Sequence, residues 1–211
     1  MNVIKIVRET KRSKLALWCV MFAMGLSVLF YSEIAFLYPS NPLRPHFYAI
    51  RLWLLPHMLC GITAMFSGPF QFSTRLRKHN PRLHRTLGKV YVIAVVIGAS
   101  LAAYMDVTVD ADPNWMINAG DLSHPLAWGL TALIAYRTAV TRSFNVHRQW
   151  MIRSYLITFT FVLVRLPNPI RAWREMSDAN FAIVLPLLMF LCFIGTDIAH
   201  NWREIAAKRA T

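Results

Sequence analysis

The sequence predicts an all-α fold, a bundle of six transmembrane helices with both termini cytoplasmic. Three observations carry that expectation. Hydrophobic residues make up 56% of the 211 residues and charged residues only 16%. The apolar residues fall into six long blocks. The Lys and Arg residues concentrate in alternate connections between those blocks. A helix needs about 20 apolar residues to cross the hydrocarbon core. Backbone groups in lipid must be satisfied within the segment, so each block is read as a helix. No period-two alternation suggests a barrel, and no repeat is visible beyond a His-Arg pair that occurs twice.

The expected domain organisation is a basic cytoplasmic segment over 1–14, a six-helix transmembrane domain over 15–200 and a cytoplasmic tail over 201–211. The apolar run that follows the basic start is too long for a signal-peptide core, and no small-residue cleavage site follows it. It is therefore expected to stay as the first span. The spans are Leu15–Leu37, Leu52–Phe72, Leu87–Met105, His124–Val140, Met151–Leu166 and Phe181–Ala199. The fourth and fifth are short.

The basic residues set the direction. Residues 1–14 hold Lys5, Arg8, Lys11, Arg12 and Lys14, and the second-to-third connection holds Arg75, Arg77, Lys78, Arg82, Arg85 and Lys89. Arg142, Arg148 and Arg153 lie between the fourth and fifth spans, and Arg203, Lys208 and Arg209 in the tail. Those seventeen share one side, against five on the other: Arg44, Arg51, Arg165, Arg171 and Arg174. Asp106, Asp110, Asp112 and Asp121 cluster on the Lys/Arg-poor side. The cation-rich side is cytoplasmic by the positive-inside rule. The net charge of +13 is then mostly topology rather than a nucleic-acid footprint, with attraction of anionic lipid as a secondary effect. Cys19, Cys60 and Cys192 lie singly in apolar segments, which supports neither a disulfide framework nor a zinc site.

Four consecutive helices have one histidine each: His57 near the outer end of the second, His84 at the cytoplasmic entrance to the third, His124 at the outer start of the fourth and His147 at the cytoplasmic entrance to the fifth. On this topology they alternate outer, inner, outer, inner, giving two same-side pairs, His57 with His124 and His84 with His147. About 15 residues, roughly 20 Å of helix, separate His57 from the inner end of its span. Two stacked metal centres fit that spacing, since bis-imidazole ligation of haem iron takes one histidine from each of two facing helices. Gly61 follows His57 by four residues and Gly88 follows His84 by four, so each shares its histidine's face and leaves room for a flat macrocycle. Trp128 and Met151 occupy the equivalent places after His124 and His147.

Each feature has a plainer reading. The stripes His57, Gly61, Ala64, Gly68 and His84, Gly88, Tyr91, Gly98 are also ordinary helix contacts in membranes. The pairs His84-Arg85 and His147-Arg148 would bind lipid phosphate or cap a helix equally well. Pro125 after His124 suits a first helical turn. His57, deep in an apolar run, is the histidine least easily dismissed. His46, His79 and His200 read as loop or interface residues, with His200 an alternative inner ligand. Arg137 and Asp197 suit an ion pair, and Gln71 a bond to a neighbouring helix or to an inner cofactor. Arg51, Arg165, Asn168 and Arg171 would meet an anion or haem carboxylates at the outer mouth, or snorkel to headgroups. Trp53, Trp115, Trp128, Trp150 and Trp173 are placed as an interfacial belt.

The stretches LPHMLCGITAMFSGPFQFSTRLR, LHRTLGKVY and HRQWMIRSY, with their GPFQF and HR-x-x-G-[RK]-x-Y elements, resemble the bacterial membrane family called domain of unknown function 2306, over about residues 50 to 200. The resemblance implies a multi-pass membrane protein and no particular activity. More remotely, one histidine on each of helices two to five is similar to the six-helix, ascorbate-reducible di-haem b-type cytochromes. It implies that His57 and His124 hold one haem b and His84 and His147 a second. The histidine gaps of 27, 40 and 23 residues are shorter and less even than in that family.

The expected function is therefore electron transport across the bacterial inner membrane, with membrane lipid around the chain and a quinol or periplasmic reductant as electron donor. No nucleophile triad or paired-carboxylate constellation appears. The rivals are a small-solute or proton-coupled transporter using Glu33, His57, Arg137 and Asp197, and a non-catalytic membrane scaffold.

Overall fold

The computed structural model describes residues 3–34, 44–109 and 111–208, with side chains described between Ala16 and Trp202 apart from a few positions. The end of the first expected span (35–37), Asp110 and residues 209–211 lie outside the described residues, as do the side chains of 3–15, Glu33, Arg44, Arg174 and 203–208. All regular structure among the described residues is helical. Six helices exceed 20 residues: α1 (Val3–Val28), α3 (Arg51–Gln71), α5 (Pro81–Thr108), α6 (Trp115–Val140), α7 (Phe144–Arg165) and α9 (Asp178–Lys208). Short helices α2 (Arg44–Ala49), α4 (Thr74–His79) and α8 (Arg171–Arg174) lie in the connections. A π-helical turn, Leu29–Glu33, continues α1.

The helices begin earlier than their apolar runs. Asn80 accepts from the Leu83 N–H at 3.0 Å, Pro81 takes the first turn, and α5 starts six residues before Leu87. Asn114 accepts from the Met116 N–H at 3.1 Å and opens α6 at Trp115. Residues 115–123, before His124, are thus helical, and Pro125 lies inside α6, not at its first turn. α7 starts at Phe144, which puts His147 in its first turn. The two spans that look short in sequence are full-length helices.

Helix α3 packs on α5, α5 on α6, α6 on α7, and α7 returns to α3. These four form a ring in which α3 lies diagonal to α6 and α5 diagonal to α7. Helix α1 leans on α3 and α7, and α9 on α6 and α7. Small residues let the helices close: a Cβ on Gly68 would run into the Tyr155 ring, and one on Gly98 would sit 2.9 Å from Cys60 Cβ. The core of the ring holds Ala64, Tyr91, Val95, Trp128, Ala132 and Tyr155.

Apolar residues fill both the core and the exterior of the bundle, with hydroxyls buried among them. The outside carries Leu52, Leu59, Ile93, Leu130, Ile183 and Ile198, each more than half exposed, while Ser67, Gln71, Thr131, Ser154, Thr158 and Thr160 are buried. A large apolar exterior is stable only against an apolar solvent or another protein. By length and composition alone, two helices suffice to cross a membrane, Pro81–Thr108 and Ala179–Trp202, with a shorter apolar stretch at Ala16–Tyr31. Helices α3, α6 and α7 carry the buried hydroxyls Ser67, Thr131, Ser154, Thr158 and Thr160, which lower their apolarity.

Candidate functional site: two histidine-lined cavities

Each expected histidine pair opens onto one cavity. His57 on α3 and His124 on α6 line a cavity of about 510 Å³ near the C-terminal end of α7, which every long helix helps to enclose. His84 on α5 and His147 on α7 line another, of about 680 Å³, at the opposite end. Both volumes fall in the range of cofactor pockets. The pairs sit on diagonal helices of the ring, so each cavity takes one imidazole from either side of the bundle axis.

Hydrogen bonds set which nitrogen each imidazole offers. His57 donates Nδ1–H to the Gly98 carbonyl at 2.9 Å, and His147 donates Nδ1–H to the Ala135 carbonyl at 2.8 Å. Both leave Nε2 as the nitrogen with a free lone pair, the arrangement common to metal-ligating histidines. His124 is held the other way: Nε2–H donates to Thr160 Oγ1 at 2.9 Å, and the Thr160 hydroxyl donates to the Ile157 carbonyl at 2.6 Å. Its lone pair is on Nδ1. His84 has a buried Nδ1 with no partner among the described residues, an orphan that a bound group would satisfy.

The glycines split by role. A Cβ on Gly61 would meet nothing within 4 Å, so the space beside His57 is open. At Gly88 a Cβ would lie 3.1 Å from Gln71 Oε1, at the wall of the second cavity. Gly68 and Gly98 instead serve close packing. The residues fit a flat, doubly ligated group best at His57 and Gly61. At His124, ligation through Nε2 requires the Thr160 bond to be exchanged. Among the described residues no cluster of three or more His, Cys, Asp and Glu forms a metal site.

Between the cavities lies a buried polar layer that the sequence reading misses. The Tyr91 hydroxyl is 2.9 Å from Ser154 Oγ and 3.0 Å from Thr158 Oγ1, and Trp128 Nε1–H donates to Thr158 Oγ1 at 2.8 Å. Tyr155 donates to the Met65 carbonyl at 3.1 Å. Trp128 also stands 6.4 Å, centroid to centroid, from both His57 and His124. The i,i+4 spacing of Ser154 and Thr158 on one helix was the available signal.

Other expectations are corrected. Asp197 pairs with Arg153, not Arg137, which is exposed on α6. Trp128 is buried in the core and takes no part in an interfacial belt, whereas Trp115 is exposed. Of the expected outer-mouth residues, Arg165 and Asn168 line the first cavity with Asp106 and Asp121, while Arg51 stacks on Tyr48 and Arg171 pairs with Glu175. Gln71 reaches the His84 carbonyl at 3.5 Å and lines the second cavity. His200 bonds Gln149 at 3.1 Å in a separate groove between α7 and α9.

The model of the family described as "Predicted membrane protein (DUF2306)" matches residues 54–200, a stretch that contains both histidine pairs. No curated protein and no solved structure matches the chain.

Proposed function

The chain belongs to the DUF2306 family of membrane proteins, and from that premise we propose that it is a six-span inner-membrane b-type cytochrome carrying electrons across the bilayer. One observation carries the reading. Histidines that alternate along the chain arrive as two pairs, each pair sharing a cavity between diagonal helices. Helix bundles build cofactor sites in this way.

When bound, haem supplies the one-electron redox couple. The chain supplies the rest. His57 offers Nε2 with its ring fixed by Gly98, and His124 offers the opposing imidazole. Gly61 leaves the adjoining space clear. Arg165 and Asn168 stand at the mouth for carboxylates. At the other end His84 and His147, with Gly88 and Gln71, form the second site. The apolar exterior keeps both sites in a low-dielectric surround, where a ligated charge is strongly felt. A quinol or a periplasmic reductant is the donor class that suits this placement.

The test is a dithionite-reduced minus oxidised spectrum of the detergent-purified chain. Sharp α and Soret bands, at a ratio near two haems per chain, are expected. A ratio near one retires the second site. Absence of bands retires the cytochrome and favours a transporter or scaffold.

A further inference from the structure

The second cavity has a charge pattern that the histidines do not use. Arg77 from the end of α4, Arg85 and Lys89 from the first turns of α5, and Arg148 from the first turns of α7 all line it. Arg85 and Lys89 are four apart and share a helix face. The N-termini of α5 and α7 add the positive ends of two helix dipoles. No carboxylate is among the described residues of the lining. Asp106 and Asp121 line the other cavity, and Asp197 is engaged by Arg153. The cations are exposed at the mouth, while the wall beside them is apolar, with Phe72, Val92 and Tyr136.

We infer that this mouth is a binding site for the phosphate of an anionic phospholipid, with the lipid's apolar part against the exposed edge of the wall at Tyr136, Val140 and Phe144. A free inorganic anion uses the cations but leaves the wall unpaired. A zwitterionic lipid brings a cation of its own into a site that holds four. Arginine forks grip phosphate oxygens two at a time, and basic pockets between membrane helices are where anionic headgroups lodge. The inference rests on the membrane placement proposed above and not on haem.

The purified chain is titrated by native mass spectrometry with phosphatidylglycerol, phosphatidylcholine and inorganic phosphate, and its Soret absorbance is recorded alongside. Phosphatidylglycerol is expected to bind about tenfold more tightly than phosphatidylcholine, and inorganic phosphate is expected not to displace it. The Arg77→Gln/Arg148→Gln pair should weaken that binding by about fivefold per cation removed. Arg77→Lys/Arg148→Lys, which keeps the charge but not the fork, should restore only part of it, and an unchanged melting temperature shows that the fold is intact. Equal affinity for phosphatidylcholine overturns the inference. Displacement by inorganic phosphate overturns it in favour of a free-anion site. Loss of haem with unchanged lipid affinity overturns it in favour of cofactor carboxylates. Retained lipid selectivity in a chain without haem bands supports it while retiring the cytochrome.

Discussion

Gly61 and Gly68 stand on one face of α3, seven residues apart, and do opposite things. Beside Gly61 there is open space; beside Gly68 there is the Tyr155 ring. Gly68→Ala should therefore destabilise the chain by about 1–3 kcal/mol through overpacking, read as a fall in melting temperature in detergent. Gly61→Leu should leave the melting of the haem-free chain unchanged and lower haem occupancy, because its side chain enters the cavity. Equal effects of the two substitutions on stability would contradict the assignment. The sequence shows both glycines at helical spacing from His57, and that spacing is the same for a ligand cradle and for a helix contact. The presence of two histidines on each cavity wall was legible; the division of labour among the glycines needed the neighbouring helices. The same limit explains Asp197: sequence spacing put Arg137 at its depth, but α7 brings Arg153 against α9.

At the scale of the element, the turn between α6 and α7 carries a measurable strain. Arg142 has φ of 60°, with its N–H on the Ala139 carbonyl at 3.1 Å and the Ser143 N–H on the Thr138 carbonyl at 2.9 Å. This is a Schellman end with arginine where glycine is usual. Arg142→Gly should stabilise the chain by about 1 kcal/mol, the cost of a left-handed side-chain-bearing residue, measured by thermal or denaturant unfolding in detergent. A loss of stability would mean that the arginine side chain contributes more than its backbone costs. The existence of the helices was readable from their apolar runs. Their starts were not, because the apolar runs begin inside the helices, whose first turns are fixed by the Asn80 and Asn114 caps and the α6–α7 turn.

The whole molecule is a ring of four helices with two more leaning on it, apolar outside and threaded with hydroxyls inside. Its charge map makes a topological prediction. Fluorescent-protein fusions at either terminus should fold and fluoresce in the cytoplasm, and a periplasm-dependent phosphatase inserted near Pro113 should be active. A fluorescent terminus paired with an inactive phosphatase insertion would remove the six-span arrangement. The all-helical architecture and the presence of two histidines on each cavity wall were within reach of the sequence because both follow from helical period and alternation of direction. The Tyr91–Ser154–Thr158–Trp128 layer was not, since it joins three helices whose mutual rotation no single helix specifies.

The most direct measurement is the haem-to-protein ratio of four purified chains: wild type, His57→Ala, His124→Ala and the double variant. If two histidines from diagonal helices share one iron, each single variant loses one haem of about two and the double loses no more than either single. Full haem content in His57→Ala, or loss of both haems only in the double variant, would contradict the pairing on which the account rests.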